Sequence, residues 1–369
     1  MPAFRVERLP AAALCLWDVL DGRAPTWLVG GAVRDLAAGL DPEDVDLATA
    51  LRPYEVRQVA CAHGLAVVRT GEAFGRIGVQ TAQGLVDVTT FREEGAYEDA
   101  RHPTRVRFTD DGIRDLRRRD FTMNAMALSV DGRLIDPTGG LRDLQNGVIR
   151  AVGDPGRRLD EDHLRVLRAI RFLSYRLGPM RLDPGLAEAV AARRGVLRGI
   201  SSRRLGVELA AILSHPCPDR ALAEGARLGL WAPSRLPGRR LSRLGDAGAR
   251  LLALARAYDF ETWGRPEWPR PLRARARKIA RVLAGTDPVE GSEGVAAQEL
   301  ASWLGEPDPA RFLRAGELMR CLQIPAGRVL GQVLREQRRM LADGGEGRSR
   351  AELLDHLRQF VQNLPESSD

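Results

Sequence analysis

Two aspartates stand two residues apart in Asp44-Val45-Asp46, at the start of the apolar run VDLATA. Side chains two apart on a β-strand point to the same face. Carboxylates so placed offer oxygen ligands to hard divalent cations such as Mg2+. A third carboxylate, Asp87 in LVDVTTF, lies on a segment that could pair alongside. Three carboxylates around two such ions would make a two-metal site. One ion lowers the pKa of an attacking hydroxyl and the other stabilises charge on a leaving phosphate. A solvated strand end looks the same, so the surrounding residues must decide.

Three other stretches carry groups suited to a nucleotide. In LVGGAVRDL, Gly30 and Gly31 leave an apolar run and precede a helical pattern. Glycines let a backbone approach a phosphate, and a helix N-terminus favours an anion. Arg34 follows in the first turn, within reach of a phosphate, and Asp35 beside it is placed to orient it by a salt bridge. A plain strand–turn–helix would read alike. In RRRDFTMNAMAL, Arg118 and Arg119 could hold phosphates, while Asp120 and Asn124 could bond ribose hydroxyls; a basic cap with an asparagine turn is the plainer reading. In DEDHLRVLRAIRF, Asp162 and Arg165 are three apart, with Glu161 and Arg168 nearby. On one helix they would share a face. A carboxylate accepts from an exocyclic amine and a guanidinium donates to ring nitrogens or carbonyl oxygens, which together would select C and A. An intrahelical salt bridge is the alternative. GEAFGRIG has the wrong spacing for a dinucleotide fingerprint, and no Walker loop occurs.

The elements that must position these groups follow from pattern. From Arg23 to Pro137, strand and helix signals alternate. TWLVGG, VDLATA and LAVVRTG read as strands, AVRDLAAGL as a helix stopping at Gly39, and YEVRQVACAHG as one ending at Gly64. RIGVQTAQGLVDVTTF reads as a hairpin around Gln83-Gly84 and NAMALSVDGRLIDP as another around Asp131-Gly132. The polar stretch between them is expected to be a mobile loop. After Pro137 strand signals stop. A helix is expected from Asp160 to Gly178, others follow, APSRLPGRR reads as a linker, and a last helical block runs from Leu251 to Asn363 around the break Gly285–Gly294.

The chain has 369 residues, 44% of them hydrophobic, ample for two or more domains with a buried core. No apolar run approaches the ~20 residues of a membrane span. MPAFRVERLP lacks a signal-peptide pattern, so a cytoplasmic location is expected. Four scattered cysteines and five histidines argue against a zinc site or disulfide framework. Net charge is +7, unevenly spread: the first hundred residues carry nine basic and fifteen acidic side chains, leaving an excess of thirteen positive charges beyond. An acidic, metal-suited first part thus precedes a basic, polyanion-suited remainder.

LVGGAVRDL, DVDLAT, VDVTTFR, RRDFTMNAMAL, DPTGGLRDLQNGVIRAVGDP and EDHLRVLRAIRF occur in this order over Leu28 to Phe172. The chain resembles the bacterial-type (class II) tRNA nucleotidyltransferase and poly(A) polymerase family. Weaker likeness continues in SSRRLGVELAAIL and toward the C-terminal end. The resemblance implies an α+β fold: a nucleotidyltransferase-type head with a mixed sheet (1–140), then an all-helical neck (141–200), body (201–247) and tRNA-binding tail (248–369). It implies that Asp44 and Asp46 hold Mg2+, that Gly30, Gly31 and Arg34 meet the triphosphate, and that Arg119, Asp120 and Asn124 serve the ribose. It implies that Asp162 and Arg165 read the base with Arg168 in support. The third carboxylate is often Glu in this family and is Asp87 here. The loop Glu93–Arg107, with its RHP, matches the one members need to incorporate adenosine. The implied activity is addition of CMP and AMP to the tRNA 3′ end from CTP and ATP, with no membrane involved. Addition of A alone beside a separate CC-adding enzyme, a poly(A) polymerase and an RNA-binding protein with an inactive head are the alternatives; oligomeric state stays open. No HD-type metal-hydrolase motif is seen in the C-terminal half, so an attached phosphatase is not expected.

Overall fold

The computed structural model describes residues 4–68, 71–94, 106–233, 240–257, 266–283, 287, 290–304, 313–342 and 350–363. The chain divides into two compact units. One comprises Met1–Ile200 with Leu228–Leu230, the other Ser201–Arg227 with Trp231–Asp369.

The first unit opens with helix α1 (Ala11–Asp21), strand β1 (Thr26–Val29), helix α2 (Gly31–Ala37), strand β2 (Asp46–Thr49), helix α3 (Pro53–Ala62) and strand β3 (Ala66–Val68). Strands β4 (Arg76–Thr81) and β5 (Gly84–Thr90) form the expected hairpin. Next come β6 (Arg92–Glu94), β7 (Val106–Phe108), α4 (Gly112–Arg117), and the second expected hairpin, β8 (Ala127–Leu128) with β9 (Leu134–Ile135). Seven strands make one mixed sheet in the order β3-β4-β5-β2-β1-β8-β9. Only β2 and β5 pair in parallel within it.

Alternation fixes which face each side chain takes. Along β5, Val86, Val88 and Thr90 are buried, so Asp87 lies on the other face. Helix α1 lays Leu16, Trp17 and Leu20 into the core. Beneath the sheet Val29, Ala48, Phe91, Leu116 and Ala127 cluster, with Leu116 supplied by α4. Helix α2 begins at Gly30, where φ is +70°, a value glycine adopts freely. Pro53 opens α3, and the Glu55 carboxylate accepts from the Arg52 N–H at 2.7 Å, a cap from the third helical position.

Three expectations change. The polar stretch after Phe91, expected as a loop, contains two strands: β6 and β7 pair antiparallel. Residues 95–105, including the RHP, lie outside the described residues. Second, strands do not stop at Pro137. After helix α5 (Gly140–Gln145), β10 (Val148–Ile149) pairs in parallel with β11 (Arg181–Leu182). Two-residue strands are too short to show a period. Third, the single helix expected from Asp160 to Gly178 is two, α6 (Pro155–Glu161) and α7 (Leu164–Phe172). Asp162 between them is extended, with φ −149° and ψ 106°. Helix α8 (Pro184–Ala192) follows.

The second unit is helical: α9 (Ser202–Ser214), α10 (Pro218–Arg227), α11 (Ala247–Ala257), α12 (Arg270–Leu283), α13 (Gly291–Leu304), α14 (Ala315–Leu322), α15 (Arg328–Ala342) and α16 (Arg350–Gln362). Helices α11, α12 and α13 pack on one another. Leu318, Val333, Met340, Leu353 and Leu357 join α14, α15 and α16 in a separate cluster. Helix α12 buries Ala276, Ile279, Val282 and Leu283 and exposes Arg270, Arg277, Lys278 and Arg281. Lys278 is the sole lysine of the chain. No helix among the described residues is long and apolar enough to cross a membrane.

Candidate active site

The parallel register of β2 and β5 sets Asp46 directly beside Asp87. Register partners share a face, so both carboxylates stand on the same side of the sheet. Asp44 sits two residues earlier, exposed in the bend before β2. Asp46 keeps solvent access, yet burial of its carboxyl raises its pKa above the ordinary value, and the charges of Asp87 and Asp44 add to the rise. Arg119 and Arg76 pull the other way. Gly78 is the register partner of Asp87 on β4, so no side chain crowds it there. Arg76, two residues earlier and on that face, reaches Asp87 with both Nε, at 2.9 Å, and Nη2. Asp87 is thus clamped by a guanidinium.

Arg119 stands over the glycine turn. A Cβ built on Gly30 would lie 3.0 Å from its Nη1. Asp115 in α4, 1% exposed, anchors it: Arg118 Nε and Nη2 donate to Oδ1 at 2.9 and 2.7 Å, and Arg119 Nη2 to Oδ2 at 3.2 Å. Burial disfavours the charge on Asp115, but the two arginines outweigh it and its pKa is lowered. Asp115 was missed from the sequence, although its spacing of three and four to Arg118 and Arg119 is the helical pairing distance.

Asp120, Asn124, Arg34 and Arg168 form a continuous chain of bonds. Asn124 Nδ2 donates to Asp120 Oδ1 at 3.0 Å, and Arg34 Nη1 donates to Asn124 Oδ1 at 2.8 Å. Arg168 Nε donates to Asp120 Oδ2 at 2.8 Å. Burial opposes the charge on Asp120, but Arg168, Asn124 and the Phe121 N–H overcome it and hold the carboxyl well below its usual range. Arg34 faces inward: it is buried, its Nε and Nη2 bond Asp35 Oδ1 at 2.9 and 2.7 Å, and it lies 4.6 Å from the Tyr175 ring centroid. The salt bridge with Asp35 is therefore present.

The DPTGG stretch packs against residues 120–124. Asp136 accepts from the Gly140 N–H at 2.8 Å and the Leu141 N–H at 3.0 Å, opening α5. A Cβ at Gly140 would fall 2.0 Å from the Thr122 carbonyl, so only glycine lets α5 press this close. Backbone bonds from Thr122 N to Arg150 O and from Val152 N to Asp120 O fasten the other side.

Asp162 and Arg165 do not share one helix. The Asp162 carboxylate accepts from the Leu164 N–H at 3.0 Å, competing with the helical bond and breaking the helix. Arg165 Nη1 donates to the Arg158 carbonyl at 2.8 Å and to Glu161. The helical pairing read for Asp162 and Arg165 is made by Glu161 and Arg165.

Among the described residues no three His, Cys, Asp or Glu side chains form a ready metal cage. Residues 26–150 match the family model for the Poly A polymerase head domain. The chain is also 41% identical over 234 residues to the CCA-adding enzyme of Bacillus licheniformis, covering 63% of this chain and 55% of that one. It is 40% identical over 212 residues to that of Geobacillus stearothermophilus, covering 58% and 50%. It spans about half the length of the curated relatives it matches. In structure it is similar to the Bacillus stearothermophilus CCA-adding enzyme in complex with CTP, with TM-score 0.66, 26% identity, and 95% and 98% of the two chains covered. The fold is also that of the Thermotoga maritima CCA-adding enzyme complexed with tRNA, with TM-score 0.60, 23% identity, and 96% and 97% covered. The matched segment thus holds Asp44, Asp46, Asp87, Arg119 and the Gly30–Gly31 turn together, and α7 brings Arg168 to Asp120.

Proposed function

We propose that this chain is a cytoplasmic nucleotidyltransferase that adds CMP and AMP to the 3′ end of tRNA from CTP and ATP, releasing pyrophosphate. The observation that carries the reading is the in-register pair Asp46 and Asp87 beside Asp44, with Arg119 and the glycine turn next to it. The relatives' activity and the CTP and tRNA complexes of the structural neighbours support it.

The donor set suits Mg2+. Burial, with the charges of Asp87 and Asp44 adding to it, raises the Asp46 carboxyl, and a dication would relieve that repulsion. Mg2+ is commonly held by one or two carboxylates plus substrate phosphates, as Asp44 and Asp46 offer. When bound, it would supply the acidified hydroxyl and the charge neutralisation that phosphoryl chemistry needs. The protein's own groups do the positioning. The tRNA 3′-hydroxyl attacks the α-phosphate and pyrophosphate leaves. Gly30 and Gly31 admit the triphosphate to the start of α2, and Arg119, held by Asp115, faces its charge. Asp120 and Asn124, fixed by Arg34 and Arg168, address the ribose. Asp162, in its helix break, and Arg165 address the base edge.

The test offers three tRNAs, ending before CCA, after C and after CC, with CTP, ATP or both. Completion of all three to CCA supports the reading. Extension of the CC-ended tRNA alone, by one A, assigns an A-adding enzyme, and a long A tail assigns a poly(A) polymerase. Binding of tRNA without turnover, unchanged in Asp44→Ala, would leave only an RNA-binding protein.

A further inference from the structure

Asp35 is 2% exposed and takes four donors from two places in the fold. Its Oδ1 accepts from Arg34 Nε and Nη2, beside it in α2. Its Oδ2 accepts from the Tyr175 hydroxyl at 3.0 Å and from Arg176 Nη2 at 3.1 Å, just beyond the end of α7. The Tyr175 ring lies under the Arg34 guanidinium and meets Phe172 edge-on, with centroids 5.9 Å apart. Burial raises the Tyr175 phenol above its ordinary pKa, so it remains a donor across the neutral range.

Helix α7 is therefore tethered twice to the head. Arg168 holds its middle to Asp120, and Tyr175 with Arg176 holds its far end to Asp35. Arg168 lies within α7, and Tyr175 lies three residues beyond its last residue, Phe172. Helix α7 also buries Leu164, Val166, Leu167, Ala169, Ile170 and Phe172, so losing the second tether would let it shift slightly rather than swing, and Arg165 and the Asp162 break would shift with it. Helix α2, which carries Asp35, starts at the glycine turn, so the second tether refers the base-addressing end of α7 to the triphosphate end of the site.

We propose that Asp35 and Tyr175 are positioning residues for nucleotide choice. They touch neither base nor phosphate, and they set where Asp162 and Arg165 meet the base. The inference rests on the nucleotidyl-transfer reading above. A displacement near 1 Å can cost as much as ~100-fold in rate, so the loss of one tether should be visible in selectivity.

The deciding comparison is Tyr175→Phe, which removes the hydroxyl and keeps the ring under Arg34. The ratio of kcat/KM for ATP over GTP on CC-ended tRNA should fall on the order of ten-fold, matching the ~1.4 kcal/mol per decade for one lost bond to a charged group. The KM for tRNA should stay near wild type, and the Tm should fall by only a few degrees, the cost of one buried bond. Arg176→Gln, at the more exposed end of the junction, should shift the ratio in the same direction and serves if Tyr175→Phe fails to fold. Wild-type selectivity in both variants, or a uniform loss for all nucleotides, overturns the proposal. A wild-type protein that transfers no nucleotide overturns the activity itself, and this inference with it.

Discussion

Asp120 is the residue where folding and chemistry are hardest to separate. It is buried, it accepts from Phe121, Asn124 and Arg168, and it stands between the ribose-addressing turn and α7. Asp120→Ala leaves a buried guanidinium and an amide without their partner, and about 3 kcal/mol of stability should be lost in chemical denaturation. The sign with pH follows from its depressed pKa. Its stabilising effect is full above the unfolded value near 4 and is lost as pH falls through the folded one. The Tm gap between wild type and Asp120→Asn should therefore be wide at pH 7, start to shrink only below about pH 4, and keep shrinking as the pH falls further. Asp46→Asn behaves differently. It relieves crowding, so Tm should hold or rise, while nucleotide transfer should fall at least ~100-fold if several kcal/mol of charge stabilisation go with it. Unchanged turnover would remove Asp46 from the chemistry. At this scale the placement of Asp46 and Asp87 on neighbouring strands was legible from strand pattern, whereas Asp44, expected on the same strand, lies in the bend before it. The inward turn of Arg34 was not legible, because its partners Asn124 and Tyr175 lie about ninety and one hundred and forty residues away.

Elements show the same division. Both hairpins and the head's alternation of strand and helix could be read from turn residues and hydrophobic period. The break at Asp162 could not, because the run from Asp160 onward keeps a helical pattern across it. Only the competition of one carboxylate for the Leu164 N–H reveals the break. The consequence is testable. Asp162→Asn can still accept that bond, so Tm should barely move, whereas Asp162→Ala should lose about 1 kcal/mol. If Asp162 also meets the base, Asp162→Asn should still disturb nucleotide choice at near-native stability. An Asp162→Asn enzyme with wild-type selectivity would confine the residue to its structural task. Gly30 is a second case. Gly30→Ala meets both the +70° φ and Arg119 Nη1 at 3.0 Å, and should cost about 1–3 kcal/mol in addition to displacing Arg119.

For the molecule as a whole, charge was the feature most plainly written in the sequence. The acidic first hundred residues contain Asp44, Asp46 and Asp87, and the basic excess lies beyond them. If tRNA is held by its phosphates, affinity should fall steeply with salt, by about 1000-fold from 50 to 200 mM for six neutralised phosphates. A flat salt profile in filter binding would contradict it. The division after Ile200 is a matter of long-range packing, on which local pattern is silent.

The solitary lysine has a practical consequence for measuring how the helical unit comes apart. Within these 369 residues a lysine-specific protease has one peptide bond to cut, between Lys278 and Ile279. That bond lies inside α12, where Ile279 is fully buried and the helix must unwind before a protease can seat it. Cleavage then reports the opening of one helix, as a clean conversion of a single band into two. With closing fast relative to cutting, the rate tracks the free energy of that opening. An arginine-rich chain thus contains its own single-site clock for local unfolding.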